Sequence, residues 1–178
     1  MSKNIYCIGK INKEEISLEI DIANKHTTSK EISPKCVDIV KIKMVKESSI
    51  LYNNRKIGSP SDAYDIFKTF LEGSDREEFL VCSLDTKNQP TNINICSIGT
   101  LNSSIVHPRE VFKSAILSNA ASIIVGHNHP SGNPDPSNED ISITNRLKEC
   151  GILLGIHLID HIIIGNNSFL SLKEKGVL

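Results

Sequence analysis

This chain predicts an α/β fold, a mixed β-sheet flanked by helices. Short apolar runs of strand length occur at 79–85 (FLVCSLD), 122–127 (SIIVGH) and 157–165 (HLIDHIIIG). The segments between them carry apolar residues at helical spacing. A turn-forming TKNQP at 86–90 joins the first run to TNINICSIG, which reads as a hairpin. The resulting order is strand, helix, hairpin, helix, strand, helix, strands. It belongs to a sheet covered by helices rather than to a bundle or a sandwich.

Residues 1–36 are mixed and polar, and KHTTSKEISPK at 25–35 reads as a loop. This part is an N-terminal extension of unassigned role, and 37–178 is the expected domain. VDIVKIKMV at 37–45 alternates apolar and polar, the pattern of a half-buried strand. Ser59 or Ser61 caps a helix through DAYDIFKTFLEG, which Gly73 ends. HPREVFKSAILSNA at 107–120 is a helix with Pro108 in its first turn. PSNEDISITNRLKECG at 136–151 is another, with Ser137 as N-cap, Asp140 three residues on, and Gly151 as its stop. Asn166 and Asn167 turn the last long strand into SFLSL.

Composition narrows the function classes. Hydrophobic residues make up 39% and charged residues 23% of 178, enough for a buried core. Trp is absent and aromatics are 4%, so that core must be aliphatic. The formal charge of −1 gives no support to a protein gripping duplex DNA through many phosphates. The five cysteines, at 7, 36, 82, 96 and 150, form no C-x-x-C pair. A disulfide framework and a thiolate zinc knuckle are therefore not expected, and Cys82, Cys96 and Cys150 read as small buried hydrophobes. No apolar signal region or membrane-length run is seen, which makes the cytoplasm the expected compartment.

The chemistry concentrates in SIIVGHNHPSGNPDPSNED, 122–140. His127 and His129 lie two apart at a strand end, so both imidazoles face one side. A Pro-, Ser- and Gly-rich loop then leads to Asp140 in a helix's first turn. Two imidazoles and one carboxylate leave a fourth zinc position open, as in catalytic sites. One zinc per chain is the expected cofactor, although His2Asp also suits iron, cobalt or manganese. Pro130, Pro134 and Pro136 stiffen the loop. Ser137 caps the helix and is placed to stabilise an oxyanion, and Ser131 is a candidate to orient a ligand. The general base would be a nearby carboxylate. Glu77, Glu78, Glu110 and Glu139 are candidates that spacing alone does not separate. At a strand start Glu77 and Glu78 face opposite sides, so only one of them can enter the site. His107, His157 and His161 read as structural, with Asp160 able to bond a neighbouring His. Arg109 and Glu110 read as a local ion pair.

His-x-His-Pro followed by Ser-x-x-Asp, with ten residues between His129 and Asp140, resembles the JAMM (MPN-plus) metalloprotease motif. The longer strings HNHPSGNPDPSNEDI, REEFLVCSLDTKN, GTLNSSIVHPREVF and LGIHLIDHIIIG resemble the RadC family of bacteria over roughly residues 45–178. That resemblance implies the JAMM/MPN architecture and zinc-dependent hydrolysis of a peptide or isopeptide bond in a protein or peptide substrate. It maps the base onto Glu77, with Glu78 second, and gives Ser137 the role of polarising the scissile carbonyl. RadC chains usually add a helix-hairpin-helix module, and residues 1–55 show no such motif, which weakens a DNA-binding role. The competing expectation is a non-enzymatic accessory protein of DNA repair or recombination. Deamination is disfavoured by the missing P-C-x-x-C pair, and a phosphodiesterase by the single ligand set.

Overall fold

The computed structural model describes residues 37–52, 54–99 and 106–178. The chain divides into two compact units, residues 1–41 and 42–178. The expected extension at 1–36 and the loop read at 25–35 lie outside the described residues. So does part of the GTLNSSIVHPREVF string, at 100–105. Residues 37–45 form no strand. Alternation supplies an apolar face, but a strand also needs a neighbour to bond, and among the described residues no ladder reaches this segment. Within it, Ile42 and Val45 stay exposed.

The second unit begins its regular structure at helix α1, Pro60–Leu71. Ser59 accepts from the Asp62 N–H while the Asp62 carboxylate accepts from the Ser59 N–H, a complete capping box with Pro60 just inside it. The chain leaves the helix through Gly73 at φ 81°. β1 (Glu78–Leu84) and β2 (Pro90–Ile98) form the expected hairpin. Helix α2 follows at Pro108–Leu117, then β3 (Ser122–Asn128), helix α3 (Asn138–Leu154), β4 (His157–Ile164) and the short β5 (Phe169–Ser171).

The five strands lie in the order β2-β1-β3-β4-β5. Only β3 and β4 run parallel, and α3 is the crossover between them. The sheet is mixed, as the sequence predicts. Period-two alternation sends its side chains to two cores. On one face, Leu80, Cys82, Leu84, Ile124, Ile162 and Ile164 pack with Ala63, Ile66, Phe67 and Leu71 of α1. On the other, Phe79, Val81, Ile123 and Val125 pack with Val111, Phe112 and Ala115 of α2 and Leu147 of α3. Both cores are mainly aliphatic, with a few phenylalanines as their largest side chains.

One helix end differs from expectation. α3 runs through Gly151 to Leu154 and stops at Gly155, whose φ of 69° is left-handed. Gly151 serves packing instead. A Cβ there would lie 2.5 Å from the Ile156 carbonyl oxygen and 3.4 Å from Phe112 Cζ. The described cysteines are free; Cys82 is buried as expected, whereas Cys96 and Cys150 are only partly buried, and burial pushes the Cys82 and Cys96 thiols up to about 12.

Candidate metal centre

The C-terminal end of β3 carries the site. His127 is its penultimate residue, fully buried in the sheet, and His129 follows just beyond the strand. Alternation puts both rings on the α2/α3 face, the side on which Phe79 stacks on His127 with ring centroids 5.9 Å apart. His129 is then held by its backbone: its N–H donates to Ile164 at 2.9 Å, and its carbonyl accepts from Gly132 at 2.9 Å. The loop is also seated on the β4–β5 turn, where Asn166 N–H donates to the Gly132 carbonyl at 2.8 Å. Gly165 permits this approach, because a Cβ on it would lie 2.3 Å from that same oxygen.

Asp140 comes from the other side, in the first turn of α3. Its carboxylate closes a second capping box, with Oδ2 accepting from Ser137 N–H at 2.7 Å and from Ser137 Oγ at 2.8 Å. Oδ1 lies 3.2 Å from His127 Nε2, and Oδ2 lies 3.4 Å from His129 Nε2. The two Nε2 atoms are 3.0 Å apart. Together the three side chains offer ligand atoms within 4.8 Å of one another, a group that could hold a metal ion. The chemistry of the donors fits. His129 Nδ1 faces the Asn133 carbonyl at 2.8 Å, and a carbonyl only accepts, so that nitrogen carries the proton and Nε2 presents its lone pair. The His129 side chain is 17% exposed, so the group can be reached from solvent.

Electrostatics agree with this convergence. The Asp140 carboxylate raises the proton affinity of His129 above its ordinary value; burial opposes this, while the Asn133 carbonyl and the charge of Glu77 add to it. Burial would raise the Asp140 carboxyl, but the adjacent His127 and His129 rings outweigh it and hold Asp140 well below the usual carboxylate range. His161 is fully buried, and burial, with the neighbouring His127 second, pushes its affinity for a proton far down.

The remaining candidates separate by position. Phe79 pairs with His127 at the end of the antiparallel β1–β3 ladder, and Glu77 and His129 each lie two residues beyond that pair on their own segments. Glu77 is half-buried and shares the Phe79 face, whereas Glu78 alternates to the other. Asn128, between the two histidines, grips this segment on both sides of Glu77. Its Oδ1 accepts from Glu78 N–H at 2.9 Å, and its Nδ2 donates to the Arg76 carbonyl at 3.0 Å. Glu110 is held at the start of α2 by Lys113 and Arg109, as the sequence predicts for Arg109. Glu139 is exposed. Ser131 stands one step back, its Oγ accepting from Asn133 N–H at 3.5 Å. Among the described residues Asp160 bonds no imidazole; it accepts from the backbone N–H groups of His161 and Lys173 and from Ser171 Oγ.

A model of the RadC-like JAB domain matches residues 57–177. The chain belongs to the RadC-like JAB domain family. A UPF0758 protein of Clostridium kluyveri is 58% identical over 123 residues, which cover 69% of this chain and 54% of that protein. A UPF0758 protein of Methanosarcina mazei is 53% identical over 122 residues, 68% of this chain and 53% of that one. In these two cases the chain spans about half the length of its relative. A UPF0758 protein of Methanosarcina acetivorans is 46% identical over 171 residues, 95% of this chain and 75% of that protein. The mixed five-stranded sheet with flanking helices is consistent with a JAB/MPN domain.

Two further residues stand behind the candidate ligands. His161 reads as structural in the sequence, yet its Nε2 lies 2.8 Å from His127 Nδ1. Thr144 drew no notice, yet its Oγ1 lies 2.6 Å from His161 Nδ1. Thr144 sits four residues after Asp140 on one helix, a spacing that places both on one face and could have flagged it. His161 had no such signal, because its place depends on the register of β4 against β3.

Proposed function

We propose that this chain is a zinc-dependent hydrolase that cleaves a peptide or isopeptide bond. The observation that carries the reading is the convergence of His127, His129 and Asp140, all within 4.8 Å, at a point that solvent can reach. A bound zinc supplies Lewis-acid polarisation of a carbonyl and acidification of water. The chain's own residues supply the rest. His127, His129 and Asp140 would hold the metal. Glu77, two residues before Phe79 and near enough to add to the proton affinity of His129, would take the proton of the attacking water and return it to the leaving amine. Glu78 is the second candidate for that role, and its side chain alternates away from the site.

Ser137 orients Asp140 through the capping box, and its hydroxyl donates to Oδ2 at 2.8 Å. To stabilise an oxyanion as well, that O–H must turn from the carboxylate toward the substrate. Among the described residues no helix is long and apolar enough to cross a membrane, and the proposed compartment is the cytoplasm.

Metal content by mass spectrometry on gently purified wild type and on His129→Ala is the first test. Zinc close to one per chain in the wild type, lost in the variant, supports the site. No zinc bound or taken up by the wild type overturns the reading and leaves a non-enzymatic role in its place. A panel of fluorogenic peptides and lysine isopeptides then tests the chemistry. Glu77→Gln should keep its zinc and lose turnover by about 10²–10⁴-fold, the usual worth of a general base. Full activity in that variant would place the base elsewhere.

A further inference from the structure

We propose that Thr144 and His161 form a directional hydrogen-bond relay that fixes the tautomer of His127 and aims its Nε2 lone pair at the metal position. The proposal rests on the metal reading given above for its function, but its geometry stands apart from any ion. Thr144 Oγ1 lies 2.5 Å from the Asp140 backbone carbonyl and 2.6 Å from His161 Nδ1. His161 Nε2 lies 2.8 Å from His127 Nδ1. Thr144 and His161 are both fully buried. No described contact gives either of these groups a different partner to turn to.

The polarity of the chain follows from counting protons. A hydroxyl has one proton to give, and a carbonyl can only accept. At 2.5 Å the Asp140 carbonyl must receive the Thr144 proton, because two facing lone pairs at that distance repel. Thr144 Oγ1 is then left with acceptor capacity alone. His161 Nδ1 must therefore carry a proton and donate it to Oγ1. A neutral imidazole has a single N–H, so His161 Nε2 is an acceptor. His127 Nδ1 must donate to it, which leaves His127 Nε2 bare and pointed at Asp140 Oδ1 and His129 Nε2. The reverse polarity would lose the Thr144–Asp140 bond and put a proton on the nitrogen meant for the metal.

The relay begins and ends on one residue. Asp140 anchors it through the backbone carbonyl and meets its far end through the carboxylate, so the first turn of α3 both ligates and selects the tautomer of its co-ligand. His129 reaches the same state by a shorter route, through the Asn133 carbonyl. Thr144 and His161 are thus positioning residues, and they touch neither substrate nor metal. Outer partners of this kind fix ring orientation and are commonly worth about 10–100-fold in metal affinity.

Two measurements on the full chain test this. The first is imidazole ¹⁵N NMR of zinc-loaded wild type at mildly alkaline pH. The Nδ1–H tautomer of His161 is expected, and Nε2–H there overturns the relay. The second is zinc affinity by chelator competition for Thr144→Val and Thr144→Ser. Valine keeps the shape and removes the hydroxyl, and affinity should fall about 10–100-fold. Serine keeps the hydroxyl and should restore wild-type affinity. Wild-type affinity in Thr144→Val overturns the proposal while leaving the metal site intact. If Thr144→Val does not fold, Thr144→Ser and the wild-type spectrum still decide, because a serine variant that binds zinc at least about tenfold more weakly than wild type contradicts the relay. If wild type binds no zinc, the hydrolase reading fails, an outcome distinct from zinc binding that Thr144→Val leaves unchanged.

Discussion

His129 and Asp140 share protons as readily as they would share a metal, and this has a pH signature. The proton affinity of His129 is raised above its ordinary 6.5 by Asp140. Its pairing therefore stabilises the metal-free fold fully below 6.5 and is lost as pH rises through the raised value. Asp140 is held below its ordinary 3.8, so its contribution is present above 3.8 and fades as pH falls through the lowered value. Zinc must displace the proton on His129. The rise in Tm on adding zinc should therefore grow as pH rises above 6.5 and level off once His129 is neutral. Paired thermal melts with and without zinc check this; an increment independent of pH would mean that His129 is not a ligand. The two histidines and the aspartate were readable in the sequence because their chemistry follows from alternation along a strand and from a helix start. The polarity of the nitrogens was not, because it depends on a carbonyl at Asn133 and a ring at His161 brought in by tertiary contact.

Helix α3 joins its own folding to the site. Ser137 satisfies the Asp140 N–H with its side chain and in return receives the Asp140 carboxylate. Ser137→Ala should cost about 0.5–2 kcal/mol of stability, the usual loss of a cap. It should also weaken zinc binding, since Asp140 loses one of the two donors from Ser137 that orient it. Denaturant melts and zinc titration of the same variant measure the two effects, and a variant that loses stability alone would show the cap to be separate from ligand placement. A comparable clamp holds the start of β1. Asn128→Leu removes both side-chain bonds to the backbone around Glu77, at roughly 1 kcal/mol each. That variant should keep zinc and lose turnover on whichever peptide or isopeptide substrate is found. Helix and strand identities were legible from periodicity, and the capping box of α3 from Ser-x-x-Asp spacing, whereas the cap of α1 was open between Ser59 and Ser61 until the structure showed Ser59 bonded to Asp62. The end of α3 was misread because glycine has two uses, release into a left-handed turn at Gly155 and close approach at Gly151, and spacing does not distinguish them. The strand expected at 37–45 failed for a related reason: alternation describes one chain, whereas a ladder requires two.

The sheet separates a core that supports the fold from one that also supports the site. Phe67 of α1 packs on the face away from His127, while Phe79 stacks on the His127 ring and meets His161 edge-on. Phe67→Ala and Phe79→Ala should each cost about 3–5 kcal/mol as large-to-small core changes. Only Phe79→Ala should also lower zinc affinity, because it removes the wall against which both rings are set. Calorimetry and zinc competition on the two variants compare them, and equal zinc loss in both would mean that the site senses general stability rather than local packing. The sheet class and its mixed character could be read from the order of elements. Which face each helix covers could not, because it follows from the strand order β2-β1-β3-β4-β5, and that order is set by long-range pairing.

The contact between Gly165 and Gly132 bears on how such a chain can vary through time. Gly165 lies just past β4, in a turn where drift is ordinarily tolerated, and it carries no chemistry. Yet any side chain there would occupy the space of the Gly132 carbonyl and the Pro134 ring, and so push away the loop that seats His129. By contrast, a Cβ at Gly73, Gly155 or Gly176 meets nothing within 4 Å. In an exhaustive survey of substitutions scored by zinc retention, Gly165 should therefore be nearly as intolerant as the ligands themselves. The three open glycines should accept asparagine at little cost, since asparagine enters their left-handed conformation more readily than other side chains. Selection on the metal would then leave its mark on a turn that never touches it.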